Sequence, residues 1–195
     1  MFVQGHAGQL VPNARFQREY AMGHGRAIAD AVKKALEKPA PLTGPLRSAY
    51  NEVKIDFRPI PNRAGLEREM KSDIPEIRDR AVRIAEAMAR GDKIPLSVSC
   101  PLQVVDFGKT LRLIAISGDV VVDYSVTLKA RYPDRFVWAA GYANGYLWGY
   151  LPTLAILREG GYESSDRFPF GPFTDEVEER VLSGVQSLVG RIAEE

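Results

Sequence analysis

The chain has few histidines, a single cysteine and no long hydrophobic run. Of its 195 residues only two are His and one is Cys. These counts exclude a disulfide framework, a zinc site of several cysteines and a three-histidine metal site built from this chain alone. No stretch approaches the roughly 18 apolar residues of a membrane span. Residues 1–13 lack the cationic and apolar regions of a signal peptide.

The chain also lacks a surplus of charge of either sign. Lys and Arg number 26 and Asp and Glu number 25, which leaves a formal charge of +1. A dedicated nucleic-acid-binding protein normally carries a basic surplus, so we expect no nucleic-acid partner. Hydrophobic residues make up 45% and charged residues 26%. Both fractions are typical of a globular domain and exclude a disordered tail.

Hydrophobic periodicity predicts a mixture of helices and strands. Helical spacing marks residues 14–36, 76–90, 120–132, 152–158 and 174–195, and strand patterns mark 46–57, 96–107, 111–116 and 136–140. Asp73–Glu76 resembles a capping box. In the last helix the predicted buried stripe is Val177, Val181, Val185, Leu188 and Ile192. We therefore expect an α+β (mixed α/β) fold, with residues 1–195 as a single unit and a partial sheet flanked by helices.

The segment Gly5–Asn13 is a Gly-containing loop that follows what reads as the end of a buried strand and precedes a helix. Such loops commonly carry site residues, because backbone N–H groups and a helix N-terminus point into one place. His6 lies in this loop and could face a pocket. A plain turn is the alternative interpretation.

A second unusual segment, Phe136–Tyr150, holds six of the 18 aromatic residues. Phe136 and Trp138 lie in a strand pattern and are expected in the core. The other four follow in a Gly/Asn-rich stretch, where Tyr hydroxyls could bind a polar ligand or a metal; the alternative is a hydrophobic cluster under a loop. Asp119 follows a strand and begins a helix, which suits either a helix cap or a site carboxylate.

The order of these motifs resembles the neutral/alkaline (non-lysosomal) ceramidase family, in its divergent bacterial members. The segment GQLVPN (Gly8–Asn13) is similar to the family's GDVSPN loop, and AISGDVVVDYSVTLK (Ala115–Lys129) to its Gly-Glu segment. GYANGYLWGYLPT (Gly141–Thr153) is similar to the family's Tyr-rich segment, and REGGYES (Arg158–Ser164) to its Tyr-Glu segment. The ordered combination is more specific than any single motif.

This resemblance implies a zinc-dependent hydrolase of N-acyl (amide) lipids such as ceramide, in which zinc activates a water that attacks the amide. It assigns two of the four zinc ligands to this chain, Asp119 in place of the family's Glu and Tyr150 as the family's Tyr, with Tyr146 a less favoured alternative for the latter. Residues that it places in the substrate pocket are Gly8, Pro12, Asn13, Tyr142, Asn144, Tyr146 and Tyr162.

Two departures weaken the implied activity. The family's functional Ser corresponds to Val11, which has no hydroxyl, so no catalytic residue is assigned, and the family's Asp corresponds to Gln9. Both family zinc histidines precede the GDVSPN loop, so we expect the chain to be the C-terminal portion of a ceramidase-like catalytic domain, inactive without its N-terminal part. The alternative is a non-catalytic lipid- or sugar-binding module descended from that fold. Family members are often exported, but no segment here marks a compartment.

Overall fold

The computed structural model describes residues 3–145, 149–164 and 170–194. Residue 194 is described by its backbone only. It confirms the predicted α+β class, with a mixed sheet flanked by helices. Within the described residues, no helix is long and apolar enough to cross a membrane.

All the predicted helices and strands are present with shifted ends, whereas one further helix, two short strands and a 3₁₀ turn were not predicted. The helices are α1 (Arg18–Glu37), α2 (Arg63–Glu69), α3 (Pro75–Arg90), α4 (Val122–Arg131), α5 (Leu154–Glu159) and α6 (Val177–Glu194), with a 3₁₀ turn at Tyr162–Ser164. The strands are β1 (Leu46–Asp56), β2 (Ser97–Phe107), β3 (Leu111–Ile116), β4 (Asp119–Val120), β5 (Phe136–Ala140) and β6 (Tyr150–Leu151). The pattern at 120–132 thus divides into a short strand and a helix.

The larger sheet has the order β1-β2-β3-β5. β1 pairs antiparallel with β2, and β2 with β3, through the turn at Gly108–Thr110. β3 and β5 run parallel, with α4 in the connection between them. A parallel pair needs such a crossover, whereas the two antiparallel pairs do not. β4 and β6 form a separate parallel pair beyond the carboxyl end of β3.

The main core lies between α6 and strands β1 and β2. The predicted stripe of α6 is confirmed, since all five of its residues are buried. The stripe recurs every three or four residues, so it occupies one face of the helix. From the sheet it is met by side chains that are completely buried, among them Ile55, Leu102 and Val104.

The predicted capping box at Asp73–Glu76 is wrong. The residue preceding α3 is Ile74, which makes no side-chain cap, and proline occupies the first turn of the helix. The end of α3 agrees with the prediction, because Gly91 adopts a left-handed conformation with φ of 75° and its N–H donates to the last-turn carbonyls. Proline supplies a preset φ at a helix start, so a side-chain cap is not required there.

Two further expectations differ from the structure, and α1 shows a feature that was not predicted. Phe136 and Trp138 are 69% and 36% exposed, because the alternation of β5 turns them away from the core while Val137 and Ala139 face it. Residues 3–7 form no strand; the Gly141 amide donates to the Gln4 carbonyl across a distance of 3.0 Å. The apolar residues of α1 are exposed, and this helix buries none of its side chains.

Gly184 is the point of closest approach between α6 and the sheet. A Cβ placed there would lie 2.6 Å from Leu102 Cδ1 and 2.6 Å from Val53 Cγ1. A larger residue at this position would therefore force these side chains, or the helix itself, to move.

We predict that Gly184→Ala lowers the free energy of unfolding by about 1–3 kcal/mol, the usual cost of overpacking a core. Gly190→Ala is the matched control, since no atom lies within 4 Å of its Cβ position in the same helix. It should raise stability by up to about 1 kcal/mol through helix propensity. Urea denaturation of both variants measures this, and equal effects would contradict the close-packing account.

Candidate functional site

Asp119 and Tyr150 are neighbours across the short parallel pair. They are register partners in β4 and β6, and the Asp119 amide donates to the Gly149 carbonyl across 3.2 Å. Register partners in a parallel pair present their side chains on the same face. The two residues that the resemblance assigns to zinc, 31 positions apart in the chain, therefore lie side by side.

The electrostatics of this pair keep the phenol of Tyr150 protonated. Partial burial is the main cause of its raised pKa, followed by the negative charge of Asp119 and by Tyr162. A hydrogen bond with the Asp119 side chain acts in the same direction. The Tyr162 ring meets the Tyr150 ring edge-on, with centroids 5.4 Å apart. Tyr162, predicted as a pocket residue, thus helps to orient the predicted ligand Tyr150.

The loop that resembles GDVSPN joins the same group of segments. The Gly8 amide donates to the Val120 carbonyl across 3.0 Å, and the Val122 amide donates to the Gly8 carbonyl across 3.2 Å. A Cβ at Gly8 would lie 2.9 Å from Val121 Cα, so this approach requires glycine. Gly8, β4 and β6 are consequently three adjacent, parallel pieces of backbone.

The pocket residues further along the chain reach the same region. The Tyr142 amide donates to the Gly118 carbonyl across 3.0 Å, one residue before Asp119. The Asn144 side-chain amide donates to Gln103 Oε1 on β2 across 3.0 Å. Tyr142 and Asn144 have positive φ values of 53° and 58°, as does Gln9 with 69°. Such strained backbone in non-glycine residues is enriched at functional sites.

Other predicted pocket residues are not brought into this group. Pro12 and Asn13 are exposed and have no hydrogen bond within the described residues. Tyr146 lies outside the described residues, so its assignment to the pocket remains a prediction. Leu10 and Val11, directly before Pro12, are 57% and 64% exposed.

His6 lies beneath the site and is one of its most buried polar residues, only 5% exposed. Within the described residues, neither ring nitrogen makes a hydrogen bond of normal geometry, although the Ala140 backbone is near enough to favour the charged form. Desolvation outweighs that effect, and with a smaller contribution from the positive charge of Lys129 the pKa falls to about 4. The imidazole is therefore neutral at pH 7.

The described residues do not fit a complete zinc site. Within them, no group of three or more His, Cys, Asp or Glu side chains is placed to hold a metal. His24 lies on the exposed helix α1, where its Nε2 is 2.8 Å from the Ala14 carbonyl oxygen. Asp119 and Tyr150 provide two oxygen donors, whereas zinc in proteins prefers four ligands that include nitrogen or sulfur.

No family model, no curated protein and no solved structure matches this chain. The ceramidase resemblance therefore depends on the order of the motifs in the sequence. Among the residues that the resemblance selects, Asp119, Tyr150, Tyr162 and Gly8 are adjacent in the described part of the chain.

We predict that His6 makes the protein sensitive to mild acid. Above pH 6.5 the imidazole is neutral in the folded and the unfolded chain. Between pH 6.5 and about 4 the unfolded chain takes up a proton that the folded chain excludes, so the free energy of unfolding falls as the pH falls. The full effect corresponds to about 3 kcal/mol.

Urea denaturation at pH 7 and pH 4.5 tests this prediction. The loss of stability between the two pH values should be smaller in His6→Leu than in the wild type. His24→Gln, a change of the exposed histidine, should behave like the wild type. Equal acid sensitivity in all three proteins would contradict a buried neutral His6 and would place the effect in the carboxylates that they share.

Proposed function

We propose that this chain carries the oxygen-ligand part of a ceramidase-like, zinc-dependent hydrolase of N-acyl (amide) lipids. The observation that supports the proposal is the register of β4 and β6, which pairs Asp119 with Tyr150. The resemblance selected these two residues by motif alone. Gly8 pairs with Val121, two residues after Asp119. This adjacency is what a shared site requires.

In this proposal the chain's own residues bind and orient. Asp119 offers an anionic oxygen, and Tyr150 offers a phenol held by the edge of the Tyr162 ring. Tyr142, whose amide bonds to the Gly118 carbonyl beside Asp119, is 52% exposed and can contact an acyl chain. Zinc, when bound at such a site, polarises an amide carbonyl and activates water.

The two imidazole ligands would come from outside these 195 residues, since neither His6 nor His24 joins Asp119 and Tyr150 in a metal-binding group of the described chain. Val11 offers no hydroxyl at the position of the family's Ser. We therefore expect the isolated chain to have no amidase activity.

Zinc titration by calorimetry tests the ligand assignment. The isolated chain should bind zinc with a Kd weaker than about 1 µM, because two oxygen donors without imidazole make a poor site. Asp119→Ala should abolish this weak binding, whereas Asp30→Ala, on the exposed helix α1, should leave it unchanged. Tight one-to-one binding that depends on Asp119 would contradict the incomplete-site proposal, and binding that Asp119→Ala does not affect would contradict the ligand assignment.

The second candidate function is a non-catalytic module that binds a lipid or a sugar. It is favoured by two aromatic side chains at the site, Tyr142 and Tyr162, each at least half exposed. Apolar groups that cluster at one surface commonly mark a binding site. The coding sequence upstream of Met1 discriminates between the candidates, because an in-frame segment with a pattern such as HxHSxP would supply the imidazoles of an enzyme.

The module predicts binding without hydrolysis. Calorimetry should detect binding of a short-chain N-acyl sphingoid lipid to the wild type. Tyr142→Ala should weaken this binding about tenfold, because one aromatic contact with the bound lipid is lost. Tyr20→Ala, which removes an exposed tyrosine of α1, should have no effect. Equal loss in the two variants would indicate non-specific adsorption and contradict a site at Tyr142.

A further inference from the structure

A second concave site lies at the other end of β3 from Asp119. It is a pocket of about 320 Å³ between the β2–β3 turn, the start of β1 and the last turn of α6. Four of its lining residues are cationic, namely Arg47, Lys109, Arg112 and Arg135, and one is anionic, Asp106. The ceramidase resemblance assigns no role to any of them.

The base of this pocket is a rigid array of buried charges. Arg112 donates from Nε to Asp106 Oδ1 and from Nη2 to Asp106 Oδ2, each across 2.7 Å. Arg135 donates from Nη1 to the second of these oxygens across 2.8 Å. The Arg112 guanidinium also lies over the Tyr132 ring, 4.9 Å from its centroid. Bidentate pairing and stacking together hold both guanidinium groups in one orientation.

Donors remain free after Asp106 is satisfied. Arg112 is 4% exposed, yet its Nη1 makes no hydrogen bond within the described residues. Arg47 and Lys109 have no ion-pair partner in the described parts of the chain. Among the described side chains, the opposing charges are Asp106 and the exposed Asp134 beside Arg135, to which the end of α6 adds a partial negative charge. The side chains of Glu194 and Glu195, which follow Ala193, are not among them. Within the described side chains, positive charge therefore exceeds negative charge at the pocket.

We propose that this pocket binds the phosphate group of a small phosphomonoester. A dianion with three terminal oxygens can accept from Arg112 Nη1 and from Arg47 and Lys109 together, and guanidinium groups suit phosphate oxygens. The apolar wall of Pro45, Ile192 and Ala193 provides a surface for the organic part of the ligand. The buried Asp106 orients the arginines and takes no part in anion binding.

Calorimetry with two probes, inorganic phosphate and phenyl phosphate, tests the proposal on the full chain. Both should bind saturably with one-to-one stoichiometry, phenyl phosphate more tightly because its ring can contact the apolar wall. In a ¹H–¹⁵N spectrum the Nε–H signal of Arg112 should shift on binding. Tighter binding of inorganic phosphate than of phenyl phosphate would overturn the phosphomonoester assignment and identify the free phosphate ion as the ligand.

Arg47 and Lys109 are exposed, so Arg47→Ala and Lys109→Ala leave the buried array intact. Each should weaken binding about tenfold, the usual value of a hydrogen bond to a charged group. Arg26→Ala on α1, which removes the same charge from a residue that does not line the pocket, should leave the Kd unchanged. No saturable binding at about 1 mM of either probe, or an equal loss in Arg26→Ala, would overturn the proposal.

Discussion

The hydrogen bonding of β3 on both of its edges is the constraint on which the other features depend. β3 pairs antiparallel with β2 and parallel with β5, and Ile114 and Ile116 within it are completely buried. Its carboxyl end delivers the turn that leads to Asp119, and its amino end carries Arg112. The candidate site and the pocket lined by Arg112 therefore lie at the two ends of β3. A shift in the register of β3 would displace both.

The buried charges at the amino end of β3 show why one register of β2 and β3 is favoured over the alternatives. Asp106 and Arg112 are direct cross-strand partners, so their ion pair forms in one register of β2 and β3. A one-residue slip would turn the two side chains to opposite faces and leave a charge buried without a partner. Ion pairs of this kind contribute little net stability, but they penalise alternative pairings strongly.

Much of the fold could be predicted from the sequence because its main periodicities are clear. The stripe of α6 and the alternation of β1 and β2 identify which faces meet in the core. The orientation of Phe136 and Trp138 could not be predicted, because the five residues of β5 are apolar throughout and give no alternation to read. The exposure of α1 was equally inaccessible, since an amphipathic pattern shows that a helix has an apolar face and not that the face is covered.

The sequence selected residues for the candidate site but did not show the contacts that they make. The resemblance selected Asp119 and Tyr150 by motif, and a two-residue strand pairing then places them together. Such a pairing has no sequence signal of its own. The burial of His6 and the contact of Arg135 with Asp106 join segments that are far apart in the chain, and no local sequence pattern indicates such contacts.

The backbone bonds of Gly8 have a consequence for the integrity of the candidate site. Gly8 covers one edge of β4 by bonding to Val120 and Val122, while β6 covers the other. Loss of the first residues by proteolysis would expose the amide of Val122 and the carbonyl of Val120 as an open strand edge. The candidate site therefore keeps this strand edge closed only while the segment around Gly8 stays bonded to β4.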